Sequence, residues 1–228
     1  SLRLLTETPG EEVDTLILAA PTSDYTDDEI KKLDDFLYNN GDFGKNIVYM
    51  ASAAQPELPK LEAFLEEWGI IVEEGYIVET DSSNYYMSDR YIIQNYVDST
   101  YTADLANPDM SILIPDSRPL TAAFEEADGN RTTTVLMSTS DTAVVRPPDA
   151  GENWDPFTAE HAAQNTAILG TRESVNTDNQ AVESHVLVFG SADAFNSAFL
   201  SFSPINNGNF FVNVMNILND KEEGIQIM

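Results

Sequence analysis

The stretch Asp14–Gly41, DTLILAAPTSDYTDDEIKKLDDFLYNNG, contains a strand, a turn and an amphipathic helix in direct succession. Its apolar run Asp14–Ala20 has the length and continuity of a strand buried on both faces of a parallel sheet, and Pro21 ends it. Thr26 and Glu29 form a T-x-x-E capping box, and the apolar residues that follow recur at helical spacing. The stretch therefore predicts the first strand and helix of a βαβ unit.

The alternation of strands and helices continues beyond this stretch. Asn46–Met50 predicts a second buried strand, Pro59 opens a second helix, and Ile70–Val78 predicts a further, interrupted strand. Near the other end, His185–Gly190 predicts a buried strand and Asn209–Leu218 an amphipathic helix. Shorter strands are predicted at 2–5, 111–115, 132–138 and 166–170, and residues 91–93 form only a short apolar patch. We therefore expect one α/β domain over residues 1–228, with a mainly parallel central sheet and helices on both faces.

The composition excludes several kinds of function. The chain has 39 Asp+Glu against 11 Lys+Arg, a formal net charge of −28, which argues against binding to nucleic acids or anionic lipids. It has no cysteine, so disulfides, thiolate zinc sites and cysteine nucleophiles are excluded. Hydrophobic residues make up 42% of the chain, enough for a packed core. Both an exported bacterial surface domain and a halophile's cytosolic protein fit this composition.

We expect both ends of the chain to be cuts in a longer polypeptide. The chain begins at Ser1 without a Met or a signal peptide, and it stops at Gly224–Met228, an alternating apolar stretch typical of a strand. The apolar run Leu16–Ala20 is far shorter than the ~18 residues that indicate a membrane span. We expect a soluble piece of a larger protein.

Motifs for catalysis are missing. There are two histidines, His161 in a loop or short helix and His185 at the amino end of a predicted strand, away from the carboxyl edge where α/β sheets build their sites. Ser191 follows a strand without the G-x-S-x-G elbow, and a helix N-cap is its alternative role. Neither phosphate-binding glycine motif occurs. We expect no catalytic residue, cofactor or metal site, although calcium on carboxylates stays open.

The loops that follow the predicted strands supply the candidate ligand-binding residues. A doubly wound sheet gathers such loops along one edge, and aromatic, hydroxyl, amide and guanidinium groups together suit a sugar or a peptide. Two alternatives stay open: the tyrosine-rich loop packs on its own domain, and Arg90 pairs with a carboxylate of the domain instead of an acidic ligand. The candidates are Asp24, Tyr25, Tyr85, Tyr86, Arg90, Ser140, Asp141, Ser191 and Asp193.

Several segments, in this order, resemble the auxiliary proteins of ABC transporters of the gliding-motility type. The segments are Asp14–Gly41, Leu58–Glu79, Ser138–Asp141, His185–Asp193 and Asn207–Ile227. In the resembled family the last helix and strand lead to a C-terminal transmembrane segment. The resemblance covers nearly the whole chain, with Asn216-Ile217-Leu218 as a departure from the usual Asn-Trp-Leu or Asn-Trp-Met.

The resemblance implies a flavodoxin-like or class I glutamine-amidotransferase-like fold without the amidotransferase activity, since the chain has no cysteine. It also implies the extracytoplasmic domain of a membrane-anchored accessory subunit that works beside an ABC-2-type permease and its ATPase. On this interpretation the domain is non-catalytic and binds a small ligand, a surface polymer or a partner protein. The alternative is an extracellular carboxylate-dependent hydrolase that acts on glycans or peptides.

Overall fold

The computed structural model describes residues 4, 6–97, 100, 101, 105, 109–124 and 127–219. The C-terminal stretch Gly224–Met228 lies outside the described residues, as does the strand predicted at 2–5 except for Leu4. None of the helices in the described ranges has the length and apolar character needed to span a bilayer. The prediction of one domain over 1–228 stays a prediction.

The first part of the chain alternates strands and helices as its sequence pattern predicts. Its elements are β1 (Thr15–Ala19), α1 (Asp27–Tyr38), β2 (Asn46–Met50) and α2 (Pro59–Glu67). The predicted capping box is confirmed, because the Glu29 backbone N–H donates to Thr26 Oγ1 and the Thr26 backbone N–H donates to Glu29. The helix ends at Asn39, which adopts the left-handed conformation at φ 49°.

The rest of the chain, where the structure describes it, contains mainly strands. They are β3 (Ile70–Val72), β4 (Tyr76–Glu79), β5 (Tyr91–Ile93), β6 (Asn95–Tyr96), β7 (Leu113–Pro115), β8 (Leu120–Ala122), β9 (Arg131–Ser138), β10 (Ala143–Arg146), β11 (Asn165–Val175) and β12 (Ala181–Phe189). Two helices follow, α3 (Ser197–Leu200) and α4 (Asn207–Leu218).

The central sheet is mixed, so the prediction of a mainly parallel sheet is wrong. Its strand order is β1-β2-β12-β11-β8-β3, with β9 on β11 and β6 on β9. Only β1 with β2 and β2 with β12 are parallel among its described pairings; all the others are antiparallel. A turn at 176–180 joins β11 to β12, and so short a connection permits antiparallel pairing only. The described residues also form two small antiparallel sheets, β4 with β10 and β5 with β7.

Two hydrophobic cores lie on opposite faces of the central strands. Leu33 of α1 and Leu65 of α2 belong to the first core, with Ile47 of β2. The second core contains Val48 of β2 with Phe210 of α4. The expectation of a flavodoxin-like or amidotransferase-like fold is also wrong, because the described residues form a strand-rich molecule with a mixed sheet and few helices. A buried apolar run has the same appearance in parallel and antiparallel central strands, so the sequence pattern did not distinguish them.

Candidate functional site

The parallel strands end side by side, as expected of a doubly wound sheet. The backbone N–H of Ala20 donates to Met50 O at 2.8 Å, and that of Ala51 donates to Phe189 O at 2.8 Å. Strand β9 runs in the same direction as β12, because both are antiparallel to β11. The loops after β1, β9 and β12, which contain candidate residues, therefore leave the central sheet at the same end, the carboxyl end of these strands.

The chain's own backbone covers part of the carboxyl end of the sheet. The Arg118 N–H donates to Gly190 O at 2.9 Å, directly after β12. A Cβ on Gly190 would lie 2.2 Å from Ser117 Oγ and 2.3 Å from Arg118 O, so only glycine permits this approach. Ser117 is 0% exposed and Ser191 is 1% exposed. Ser191 is thus shielded from solvent, whereas Asp193, which begins a short 3-10 turn, is exposed.

Asp24 and Tyr25 have structural roles on the face of the sheet that carries α1 and α2. Asp24 accepts hydrogen bonds from the backbone N–H groups of Lys60 and Leu61 at 3.0 and 3.3 Å. Leu58, the N-cap residue of α2, provides no side-chain cap, so Asp24 caps this helix from a distant part of the sequence. Tyr25 packs against the first core, and burial, with smaller contributions from Glu29 and Asp24, raises the pKa of its hydroxyl.

Ser140 hydrogen-bonds to Glu79, a buried acidic residue that was not among the residues singled out from the sequence. Its hydroxyl donates to Oε2 of Glu79 at 2.6 Å, and Glu79 is 1% exposed at the end of β4. The other oxygen accepts from Thr142 Oγ1 at 2.5 Å and from the N–H groups of Thr80 and Asp81 at 2.9 and 3.0 Å. Asp141, between the two hydroxyl residues, is exposed. Nothing in the sequence distinguishes Glu79 from the chain's many exposed glutamates.

Arg90 forms an ion pair within the domain, as one of the two open alternatives expected. One guanidinium nitrogen lies 2.5 Å from Asp116 Oδ1, and the guanidinium carbon lies 4.1 Å from the ring centre of Tyr76. Burial raises the pKa of the Asp116 carboxyl above its usual value; Arg90 opposes this shift and the charge of Asp193 adds to it. The predicted residues Arg90 and Asp193 therefore both lie near Asp116, and we call these three residues the acidic cluster.

An apolar depression lies beside this cluster, and we call it the aromatic groove. Its volume is about 180 Å³. Met87 is 83% exposed, Tyr86 45% and Phe202 39%, so three large apolar side chains face solvent together. The residues that define the groove are Tyr86, Met87, Tyr91, Leu113, Ala198, Phe199 and Phe202.

Two distant segments of the chain build the aromatic groove. The Tyr86 N–H donates to Tyr91 O at 2.9 Å, which folds the loop before β5 back onto that strand. Tyr91 meets Phe199 edge-on with ring centres 5.8 Å apart, and Tyr86 lies 6.3 Å from Phe202. Tyr86 could be identified from the sequence but Phe199 and Phe202 could not, because no local pattern links segments so far apart. Tyr85 pairs through its backbone with Ile92 and does not line the groove.

A larger cavity of about 790 Å³ lies at the far end of the β11–β12 hairpin, lined in part by Glu173, Glu183 and His185. His185 Nδ1 lies 3.1 Å from Thr171 Oγ1, and Nε2 lies 3.7 Å from Glu183. In the part of the chain that the structure describes, no group of three His, Asp or Glu side chains is arranged to hold a metal ion. The exposed apolar side chains therefore make the aromatic groove the strongest candidate site.

The comparisons with known proteins give a likeness in fold. No family model matches the sequence, and no curated protein matches it. A solved structure described as "mmIFT52 N-terminal domain", from an intraflagellar transport protein, matches with a TM-score of 0.61 and 17% identity. The match covers 97% of this chain and 84% of that chain. At this identity the likeness establishes the fold alone.

This finding corrects the resemblance drawn from sequence. The relation to auxiliary proteins of ABC transporters is wrong, as are the function in an ABC-2 transport system and the permease and ATPase partners, because the fold match is to an intraflagellar transport protein. The alternative of a carboxylate-dependent hydrolase has no support either. The segments that carried the resemblance are buried strands followed by capped helices, a pattern that unrelated βαβ units share. What the comparisons establish is therefore a strand-rich domain similar in fold to the N-terminal domain of an intraflagellar transport protein.

Proposed function

We propose that this chain is a non-catalytic protein-interaction domain of a larger assembly, and that it binds a partner protein in the aromatic groove. The observation that carries the proposal is the cluster of exposed Tyr86, Met87 and Phe202 side chains around an apolar floor. Clustered apolar side chains on a surface are typical of interaction sites, and tyrosine, phenylalanine and methionine are enriched in such sites.

The size of the groove favours a protein side chain over a small molecule. Small-molecule sites usually measure ~300–1,000 Å³. The aromatic groove, at about 180 Å³, suits a single large apolar side chain. Burial of one such side chain contributes about 1.5–3 kcal/mol, and covering the exposed rim side chains adds to it. An apolar anchor residue of the partner would therefore supply much of the affinity.

The charge of the chain specifies what flanks this anchor. The net charge is −28. Arg90, which directly precedes Tyr91 of the groove, forms an ion pair with Asp116, whose carboxyl is also influenced by the charge of Asp193. A partner segment with Lys or Arg next to the apolar residue gains attraction from this field, and an acidic segment is repelled. The occupant we propose is an apolar residue flanked by basic residues.

The fold likeness supports a role in an assembly. The matching structure is the N-terminal domain of an intraflagellar transport protein, and a corresponding role as a component of a multiprotein complex is what we propose for this chain. The analogy rests on fold, so the groove carries the argument. The membrane-anchored, extracytoplasmic location stays a prediction, which fractionation of cells that express the whole gene tests.

Selection from a displayed library of random 12-residue peptides tests the proposal. Wild-type protein serves as bait and the Met87→Glu variant as counter-bait. We expect enriched peptides to share an apolar residue next to Lys or Arg and to lose at least tenfold in affinity on Phe202→Ala. Phe157→Ala is the matched control, since Phe157 is 70% exposed and lies outside the groove. Failure to enrich peptides, or equal affinity for the Phe202 and Phe157 variants, would contradict the proposal.

A further inference from the structure

The strand β1 lies at an edge of the central sheet and lacks the features that usually protect such strands. Among the described residues it pairs only with β2. Its sequence, TLILA, contains no charged residue and no proline, and its register with β2 has no bulge. Natural edge strands usually carry lysine, proline or a bulge, because an open edge is a template for pairing with another strand.

The backbone groups that point away from β2 can be identified from the hydrogen bonds at the two ends of the strand. The Asn46 N–H donates to Asp14 O at 2.9 Å, and the Ala20 N–H donates to Met50 O at 2.8 Å. Alternation along a strand then directs the even-numbered residues of β1 to β2. The N–H and C=O groups of Thr15, Ile17 and Ala19 point outward, and no backbone group in the described ranges hydrogen-bonds to them.

The side chains of β1 leave an apolar surface beside this open edge. Leu16 and Leu18 are buried in the first core, which also contains Leu33 of α1. Ile17 is on the opposite face and is 49% exposed, and Ala19 is also exposed. An added strand would therefore find open hydrogen-bonding groups and an apolar side chain to pack against.

The negative charge of the chain indicates which kind of strand could pair with the free edge of β1. A second copy of the chain would bring another charge of −28 to the contact. The segment that leads into β1 is also acidic, with Glu11, Glu12 and Asp14 exposed. Both facts disfavour self-pairing and favour a cationic strand.

We propose that the free edge of β1 accepts an extended segment of a different protein, with alternating apolar residues and flanking Lys or Arg, as an added strand. This surface is separate from the aromatic groove, whose residues belong to the loop before β5, to β5 and β7, and to the segment 198–202. Main-chain hydrogen bonds supply affinity in this mode, and the side chains and charges supply selectivity.

Two probe peptides test the proposal on the full 228-residue chain. One has alternating Val and Thr with a lysine at each end; the other has glutamate in place of lysine. With saturating lysine peptide, we expect amide hydrogen exchange at Ile17 and Ala19 to slow at least tenfold. Leu16 and Leu18, already bonded to β2, should change less than twofold. The lysine peptide should bind at least tenfold more tightly than the glutamate peptide, and added salt should reduce the difference.

Variants of Ile17 separate edge pairing from other binding. Ile17→Pro removes an outward N–H and leaves the β2 ladder intact, so affinity for the lysine peptide should fall at least tenfold while the fold is kept. Ile17→Lys should act similarly by repulsion, and Phe157→Lys, the same charge change at another exposed site, should alter affinity less than twofold.

Several results would overturn the proposal. Slow exchange at Ile17 in the free, dilute chain would mean that the chain itself covers the edge. Slowing that depends on protein concentration would mean that a second copy does. Equal binding of both peptides, or binding unaffected by Ile17→Pro and Ile17→Lys, would show that the lysine peptide binds elsewhere.

Discussion

The hydroxyl of Ser140 donates a 2.6 Å hydrogen bond to Oε2 of Glu79, a residue that is only 1% exposed. Two backbone N–H groups and the Thr142 hydroxyl donate to the other oxygen. Glu79→Ala would leave the two N–H donors without their acceptor, and we expect it to lower the free energy of unfolding by at least about 2 kcal/mol. Urea denaturation measures this. Glu79→Gln keeps an acceptor oxygen and should cost less; equal, negligible losses in both variants would mean that the network is not structural.

Asp24 offers a test of whether a candidate binding residue is instead a helix cap. Asp24→Ala removes the acceptor for the Lys60 and Leu61 N–H groups, so we expect a loss of about 1 kcal/mol in the free energy of unfolding. Asp141→Ala, at an exposed position, should change the free energy of unfolding by less than about 0.5 kcal/mol. Thermal or urea unfolding of both variants makes the comparison. A loss for Asp24→Ala no larger than for Asp141→Ala would contradict the capping role.

Gly190 tests the contact that covers the carboxyl end of β12. A Cβ at this position meets the backbone oxygen of Arg118 at 2.3 Å, so Gly190→Ala should destabilise the protein by about 3 kcal/mol. A Cβ on Gly151 would have no atom within 4 Å, and Gly151→Ala should change stability by less than about 0.5 kcal/mol. If both variants unfold at the same denaturant concentration, the segment 117–118 does not lie against β12.

The acidic cluster beside the aromatic groove has a pH signature. Because burial raises the pKa of Asp116, its folded form holds the proton more tightly than the unfolded chain. This group's contribution to the free energy of unfolding therefore falls as the pH rises from its unfolded pKa, near 3.8, through the raised folded pKa.

The neighbours of Asp116 should move its pKa in opposite directions. Asp193→Asn should lower the pKa of Asp116 by removing repulsion, whereas Arg90→Ala should raise it by removing the ion pair. Carbon-detected NMR titration of the carboxyl groups measures both. The same direction of change in the two variants would refute the arrangement.

Local structure could be predicted from the sequence, but strand direction and the groove could not. The capping box at Thr26 and the strand Asn46–Met50 have the expected positions, because caps and buried runs are local signals. The antiparallel direction of β11 was not predicted. Only its apolar part, Thr166–Gly170, has the pattern of a buried strand, and the strand continues into the polar segment TRESV, which is not buried. The groove depends on Tyr91 meeting Phe199, a contact without a local sequence pattern.

Methyl NMR of Met87 tests the central claim most directly. The chain has six methionines, and Met87 is 83% exposed on the groove rim whereas Met137 is 0% exposed in the second core. Met87→Gly assigns the resonance, and because Met87 has a φ of 65°, which glycine adopts freely, the fold should be kept. On titration with a selected basic-apolar peptide, we predict that the Met87 methyl signal shifts and saturates with the binding curve while that of Met137 stays in place. A peptide that binds and leaves the Met87 signal unchanged would contradict the aromatic groove as the protein-binding site.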